Sequence, residues 1–141
     1  MNPIQIYKVA RTRRFLKDLR NILVFLHKSN ISAIEHLEDG YVWVTAWDLE
    51  LYLPNIPQDV SAIAIPEKAI CTGFGQNGYR CRVADVDERR FFCRVALSPL
   101  LSQKVVPLQW QLSKTEWEKL SGDEVSIHVP PEAIILLQDK I

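Results

Sequence analysis

"DVSAIAIPEKAI" (Asp59–Ile70) and "EVSIHVPPEAII" (Glu124–Ile135) decide how this chain is read. Set 65 residues apart, they share Val60/Val125, Ser61/Ser126, Pro66/Pro131, Glu67/Glu132 and Ile70/Ile135. Each is a β-like apolar run, then Pro-Glu, then a brief apolar stretch. Proline withholds an N–H and so ends a ladder. The glutamate after it is expected to face solvent at the turn. Two such units predict two similar halves packed on each other.

Around both copies the apolar period is two. "YVWVTAW" sets Tyr41, Trp43, Thr45 and Trp47 against Val42, Val44 and Ala46, after a turn signal at Asp39-Gly40. Leu49, Leu51 and Leu53 alternate next. "YRCRVADV" sets Tyr79, Cys81 and Val83 against Arg80, Arg82 and Ala84. "FFCRVAL" sets Phe91, Cys93, Val95 and Leu97 against Phe92, Arg94 and Ala96, with "DERR" as the hairpin loop between them. "KVVPLQWQL" is a further strand, with Pro107 marking an edge or bulge. Ser113 to Glu116, "SKTE", is a capping box that opens a short helix ended by Gly122-Asp123. Toward the N-terminus, Leu16, Leu19 and Leu23, with Phe15 and Ile22, predict a short amphipathic helix, handing over to a strand "ILVFL". Seven or eight short strands with two short helices indicate a small β-barrel or sandwich, not a parallel α/β sheet.

"GFGQNG" (Gly73–Gly78) fits G-x-G-x-x-G. A dinucleotide loop needs a helix to start within it. Here the period-two "YRCRVADV" follows, so the stretch reads as a connection, with Gly78 supplying a positive φ.

The chain has 141 residues, 48% hydrophobic and 24% charged, the composition of one globular domain. No apolar run reaches the ~18 residues of a membrane span, and no signal-peptide pattern opens the chain. The expectation is a cytoplasmic protein. Cys71, Cys81 and Cys93 lack C-x-x-C spacing and read as buried or half-buried thiols. Net charge is zero, yet Lys8 to Lys28 holds seven Lys/Arg against one acid, Asp18.

No catalytic constellation stands out. His27, His36 and His128 are scattered, and Asp85, Asp87 and Glu88 alternate with Arg89 and Arg90 in a loop. The reading is a non-enzyme without cofactor or metal. Arg80, Arg82 and Arg94 share a strand face and form a candidate basic patch. Trp43, Trp47, Trp110 and Trp117 alternate with apolar residues, which suits packing better than base stacking. A single-stranded nucleic-acid module is the alternative function, with residues 8–28 as its basic element.

With these residues in view, the chain resembles the C-terminal regulatory region of ABC-importer ATPase subunits, built from transport-associated OB-like (TOBE) modules. "NPIQIYKVARTRRFLKDLRNIL" is similar to the family's junction, "LEDGYVWVTAWDLELYLP" to its next strand pair, "VSAIAIPEKAI" to the strand that crosses between halves, and "WQLSKTEWEKLSGDEVSIHVPPEAIILL" to its closing strands and helix. The family's Gly after Phe-Leu is Lys17 here, and its Arg before Pro-Glu is Ile65. No G-x-x-x-x-G-K-[ST] is present, so the chain matches the part after an ATPase core. The resemblance implies a mainly β, OB-like barrel of two related, intertwined halves with a short N-terminal helix. Residues 1–20 would be a helical junction, 21–72 the first half and 73–141 the second. It also implies solute sensing beside an ATPase nucleotide-binding domain, pairing as a homodimer, and contact with the membrane only through a transporter. A small oxyanion of the molybdate class would be the ligand. Ser113 and Lys114 stand at the matching strand-to-helix position, where free N–H groups and a cation suit an anion.

Overall fold

The computed structural model describes residues 4–6, 28–103 and 106–138. The expected N-terminal helix, the strand "ILVFL" and most of the basic segment lie outside them. Eleven strands form two sheets: β1 (Ile4–Ile6), β2 (Ser29–His36), β3 (Tyr41–Val44), β4 (Leu49–Tyr52), β5 (Val60–Pro66), β6 (Cys71–Thr72), β7 (Gly78–Glu88), β8 (Phe92–Pro99), β9 (Leu108–Ser113), β10 (Glu124–His128) and β11 (Ile135–Gln138). The six-stranded sheet runs β1-β11-β5-β2-β3-β4, and the five-stranded sheet β6-β10-β7-β8-β9. One core lies between them: Val42, Val44, Leu51, Ile63 and Ile65 meet Cys81, Val95, Leu97, Trp110 and Ile127.

The repeat is the hinge of this architecture. In both copies a strand leads into a proline-capped single-turn 3-10 helix, β5 ending at Pro66 itself and β10 at His128 two residues before Pro130, and the chain then enters the other sheet. β6 leaves the first half to pair with β10, and β11 leaves the second to pair with β5. The registers correspond: Ile135 and Leu136 face Ala64 and Ile63, while Cys71 and Thr72 face His128 and Ile127. The halves are therefore strand-exchanged.

The structure also moves the alignment by one residue. The 3-10 turns are Glu67–Ala69 and Pro131–Ala133, capped by Pro66 and Pro130, so the equivalent residues stand 64 apart. On this spacing Ile63/Ile127, Ile65/Val129 and Ile70/Ile134 coincide, and all six belong to the core. An irregularity in the β5–β11 ladder, where Leu137 faces Ala62 but Gln138 faces Val60, absorbs the extra residue. Glu67 and Glu132 are thus not equivalent. Glu67 does not face solvent; it is 4% exposed.

Other local expectations hold or fail for identifiable reasons. Asp39 and Gly40 adopt positive φ (60° and 83°), which a tight hairpin turn requires. β3 stops at Val44, so Trp47 turns inward and is buried, on the side of Val42 and Val44 and not opposite them. A register shift after Val83 brings Val86 opposite Val95 and leaves Asp85 outward. Phe91 lies in the β7–β8 turn and is exposed, off the face of Cys93. In the glycine-rich connection Gly73 and Asn77 carry the positive φ (91° and 58°); Gly78 does not.

Candidate anion-binding site

Arg94 sits mid-β8, opposite Asp87 and Gln111, so its side chain leaves the outer face of the sheet. The 3-10 turn after β5 sets Glu67 against it. Nε donates to Oε1 at 2.8 Å and Nη2 to Oε2 at 2.9 Å. This bidentate pair joins the first half to the second. Glu67 is buried, whereas the Arg94 side chain is 46% exposed. The hydrogen bonds to Glu67 raise the Arg94 pKa above its ordinary value. Guanidinium has five N–H donors, and two are committed to Glu67, so the outer edge stays open. It opens into a notch of about 210 Å³ lined by Lys28, Glu67, Arg89, Phe92, Arg94 and Gln111. Arg89 is itself paired with Asp87 at 2.8 Å.

The other expected residues lie elsewhere. Arg80 donates to Ser126 Oγ at 3.0 Å and has Glu124 at 3.8 Å. Arg82 is exposed opposite Ser98, four residues along β8 from Arg94, roughly 13 Å by strand rise. The three arginines share an outer face but do not converge. Ser113 caps the helix Lys114–Glu118: its Oγ accepts the Glu116 N–H and donates to Glu116 Oε1, both at 3.1 Å. The Glu116 carboxylate therefore stands at this helix start, beside Lys114.

A second cavity, about 630 Å³ and mostly apolar, is lined by Trp43, Leu49, Tyr79, Arg80, Leu100 and Leu101 among others. The Tyr79 hydroxyl donates to the Glu50 carbonyl there, and burial, then the Glu50 charge, raises its pKa. Trp47 and Trp110 are buried, so they offer no stacking surface to nucleic acid. Cys81 and Cys93 are buried free thiols and Cys71 is half-buried. Burial pushes Cys81 up to about 12 and raises Cys93. Among the described residues no group of His, Cys, Asp and Glu is arranged for a metal, and no helix is long and apolar enough to cross a membrane.

Lys28, Glu67 and Gln111 line the notch but are not among the sequence candidates. In the sequence Lys28 is one cation of a basic stretch, Glu67 a residue expected in solvent and Gln111 an unremarked strand position. The Pro-Glu pattern alone does not mark Glu67, since Glu132 also follows a proline at such a turn and is only half-buried.

Two strand-exchanged β halves around one core define a TOBE-like, OB-type β fold. Neither a family profile nor a curated protein sequence matches this chain. Among solved structures it is similar to the cytoplasmic molybdate-binding protein ModG, whose crystal form has molybdate bound. The TM-score is 0.55, with 11% identity over 76% of this chain and 94% of that one. At that identity the likeness is one of fold.

Proposed function

We propose that this chain is a non-catalytic binding module for a small tetrahedral oxyanion of the molybdate class, held at the Arg94 notch. In this reading it senses solute for an ABC-type importer ATPase, in the cytoplasm, paired with a second copy. The observation that carries the reading is Arg94: clamped on one edge by Glu67, it offers its other edge, with Lys28 and the Gln111 amide, on a fold shared with molybdate-bound ModG. Planar, pre-oriented donors suit an oxyanion. Lys28, Arg89 and Arg94 against Glu67 and Asp87 leave one net positive charge, so directed hydrogen bonds do most of the holding.

The notch draws Lys28 and Glu67 from one half and Arg89, Arg94 and Gln111 from the other. An anion bridging them favours one arrangement of the halves, which is the requirement for passing a signal on. Calorimetry with molybdate, tungstate, sulfate and phosphate tests the ligand: binding lost in Arg94→Ala supports the site, and no heat with any of the four overturns it. Sedimentation tests pairing, and a strict monomer at high concentration overturns that part. An in-frame P-loop ATPase coding sequence immediately upstream supports the importer assignment.

A further inference from the structure

Asn30 and Asn77 make the same set of hydrogen bonds at two places. Asn30 Nδ2 donates to the Ile65 carbonyl (3.1 Å) and the Gln109 carbonyl (2.8 Å), and its Oδ1 accepts the Gln109 N–H (2.7 Å). Asn77 Nδ2 donates to the Val129 carbonyl and the Tyr52 carbonyl (both 3.3 Å), and its Oδ1 accepts the Tyr52 N–H (2.7 Å). Ile65 and Val129 are equivalent in the repeat. Gln109 and Tyr52 lie on β9 and β4, each at one edge of its sheet. Each half therefore grips an edge strand of the other through one asparagine.

What surrounds the two clasps differs. Lys28 lies two residues before Asn30, at the turn into β2; Glu67 lies two after Ile65, at the start of the 3-10 turn; and Gln111 lies two after Gln109 on β9. The clasp therefore ties together the three segments that carry these residues, and Arg94 through Glu67, at the notch. The Glu67 N–H also donates to the Lys28 carbonyl at 3.2 Å. At the other clasp the corresponding residues are Gly75, Pro131 and Pro54, which carry no polar side chain.

We propose that Asn30 is the positioning residue of the anion notch, and that Asn77 is its structural twin without a ligand role. The ligand part rests on the proposed function; the positioning part does not. The test compares Asn30→Ala with Asn77→Ala in the full chain by three readouts: thermal unfolding, the ¹⁵N–¹H resonance of the Arg94 Nε–H, and molybdate calorimetry. Both variants are expected to melt earlier. Only Asn30→Ala is expected to lose the exchange-protected Arg94 resonance and to weaken molybdate binding by about tenfold, the effect of one misplaced hydrogen-bonded group. An Arg94 resonance unchanged in Asn30→Ala, or lost equally in Asn77→Ala, overturns the proposal. If the unsubstituted chain binds none of the anions, the ligand assignment fails while the Arg94 resonance still decides the positioning role. Asn30→Ser replaces Asn30→Ala if the latter does not fold.

Discussion

Glu67 is almost fully buried, and both of its oxygens are engaged by one guanidinium. Glu67→Gln keeps the shape, removes the charge and puts an amide N–H₂ against a donor. The expected cost is about 1–2 kcal/mol by urea unfolding, at the low end for a charged hydrogen bond because Arg94 is half-exposed. Arg94→Lys is expected to fold yet bind oxyanion poorly, since one ammonium cannot serve Glu67 and a ligand at once. Cys81 gives a pH prediction. Its folded pKa, about 12, lies above the unfolded value of 9.0. The thiol therefore adds stability below about pH 9, and this is lost as pH rises toward the folded pKa. Cys81→Ala should flatten that alkaline fall in a pH series of denaturant midpoints. At neutral pH, native alkylation should modify Cys71 first, because Cys81 and Cys93 are buried.

At the scale of elements, most strands were legible because their apolar residues point inward. β2 was not, because the polarity of its first part is inverted: Asn30 and Ser32 face in and are buried, while Ile31 is 50% exposed; only at Ile34 does an apolar residue turn inward. Inward polar residues are stable there because each is hydrogen-bonded: Asn30 as a clasp, Ser32 through the Ala46 N–H and the Ala33 carbonyl. Period-two reading has no means of seeing this. The repeat was visible but set one residue out, since the irregularity in β5 shifts half of it and Pro-Pro offers two choices of cap. Of the proposed notch, Arg94 is a sequence candidate, whereas Lys28, Glu67 and Gln111 come from segments distant in sequence that only the fold brings beside it. The capping box was read directly, and Ser113→Ala should cost about 1 kcal/mol by loss of its bond to Glu116. Gly75 is constrained by contact: a Cβ there would stand 2.6 Å from His128 Cδ2, on a ring whose Nδ1 lies 3.1 Å from the Gly73 carbonyl. Gly75→Ala is expected to destabilise by about 1–3 kcal/mol, the range for overpacking, measured by thermal unfolding.

The whole molecule is two halves that complete each other. Sequence periodicity predicted a small β architecture, and the TOBE resemblance supplied the intertwining; the exchange itself depends on where each chain segment goes after its proline turn. Among the described residues, Phe74, Phe91 and Leu101 are more than three-quarters exposed. They are the first positions to change to aspartate if sedimentation shows self-association, and a return to monomer at one of them would locate the contact.

Strand exchange also bears on how the chain is made. β5 lies early in the sequence, yet one of its partners, β11, ends at Gln138. During synthesis the first half emerges with a gap in its sheet that only the last stretch can fill. Such distant pairings slow folding, because loop closure precedes the contacts that reward it. The first half should therefore stay open until Ile135–Gln138 has emerged from the ribosome, and a nascent chain stalled with that segment still in the exit tunnel should be protease-sensitive in its first half.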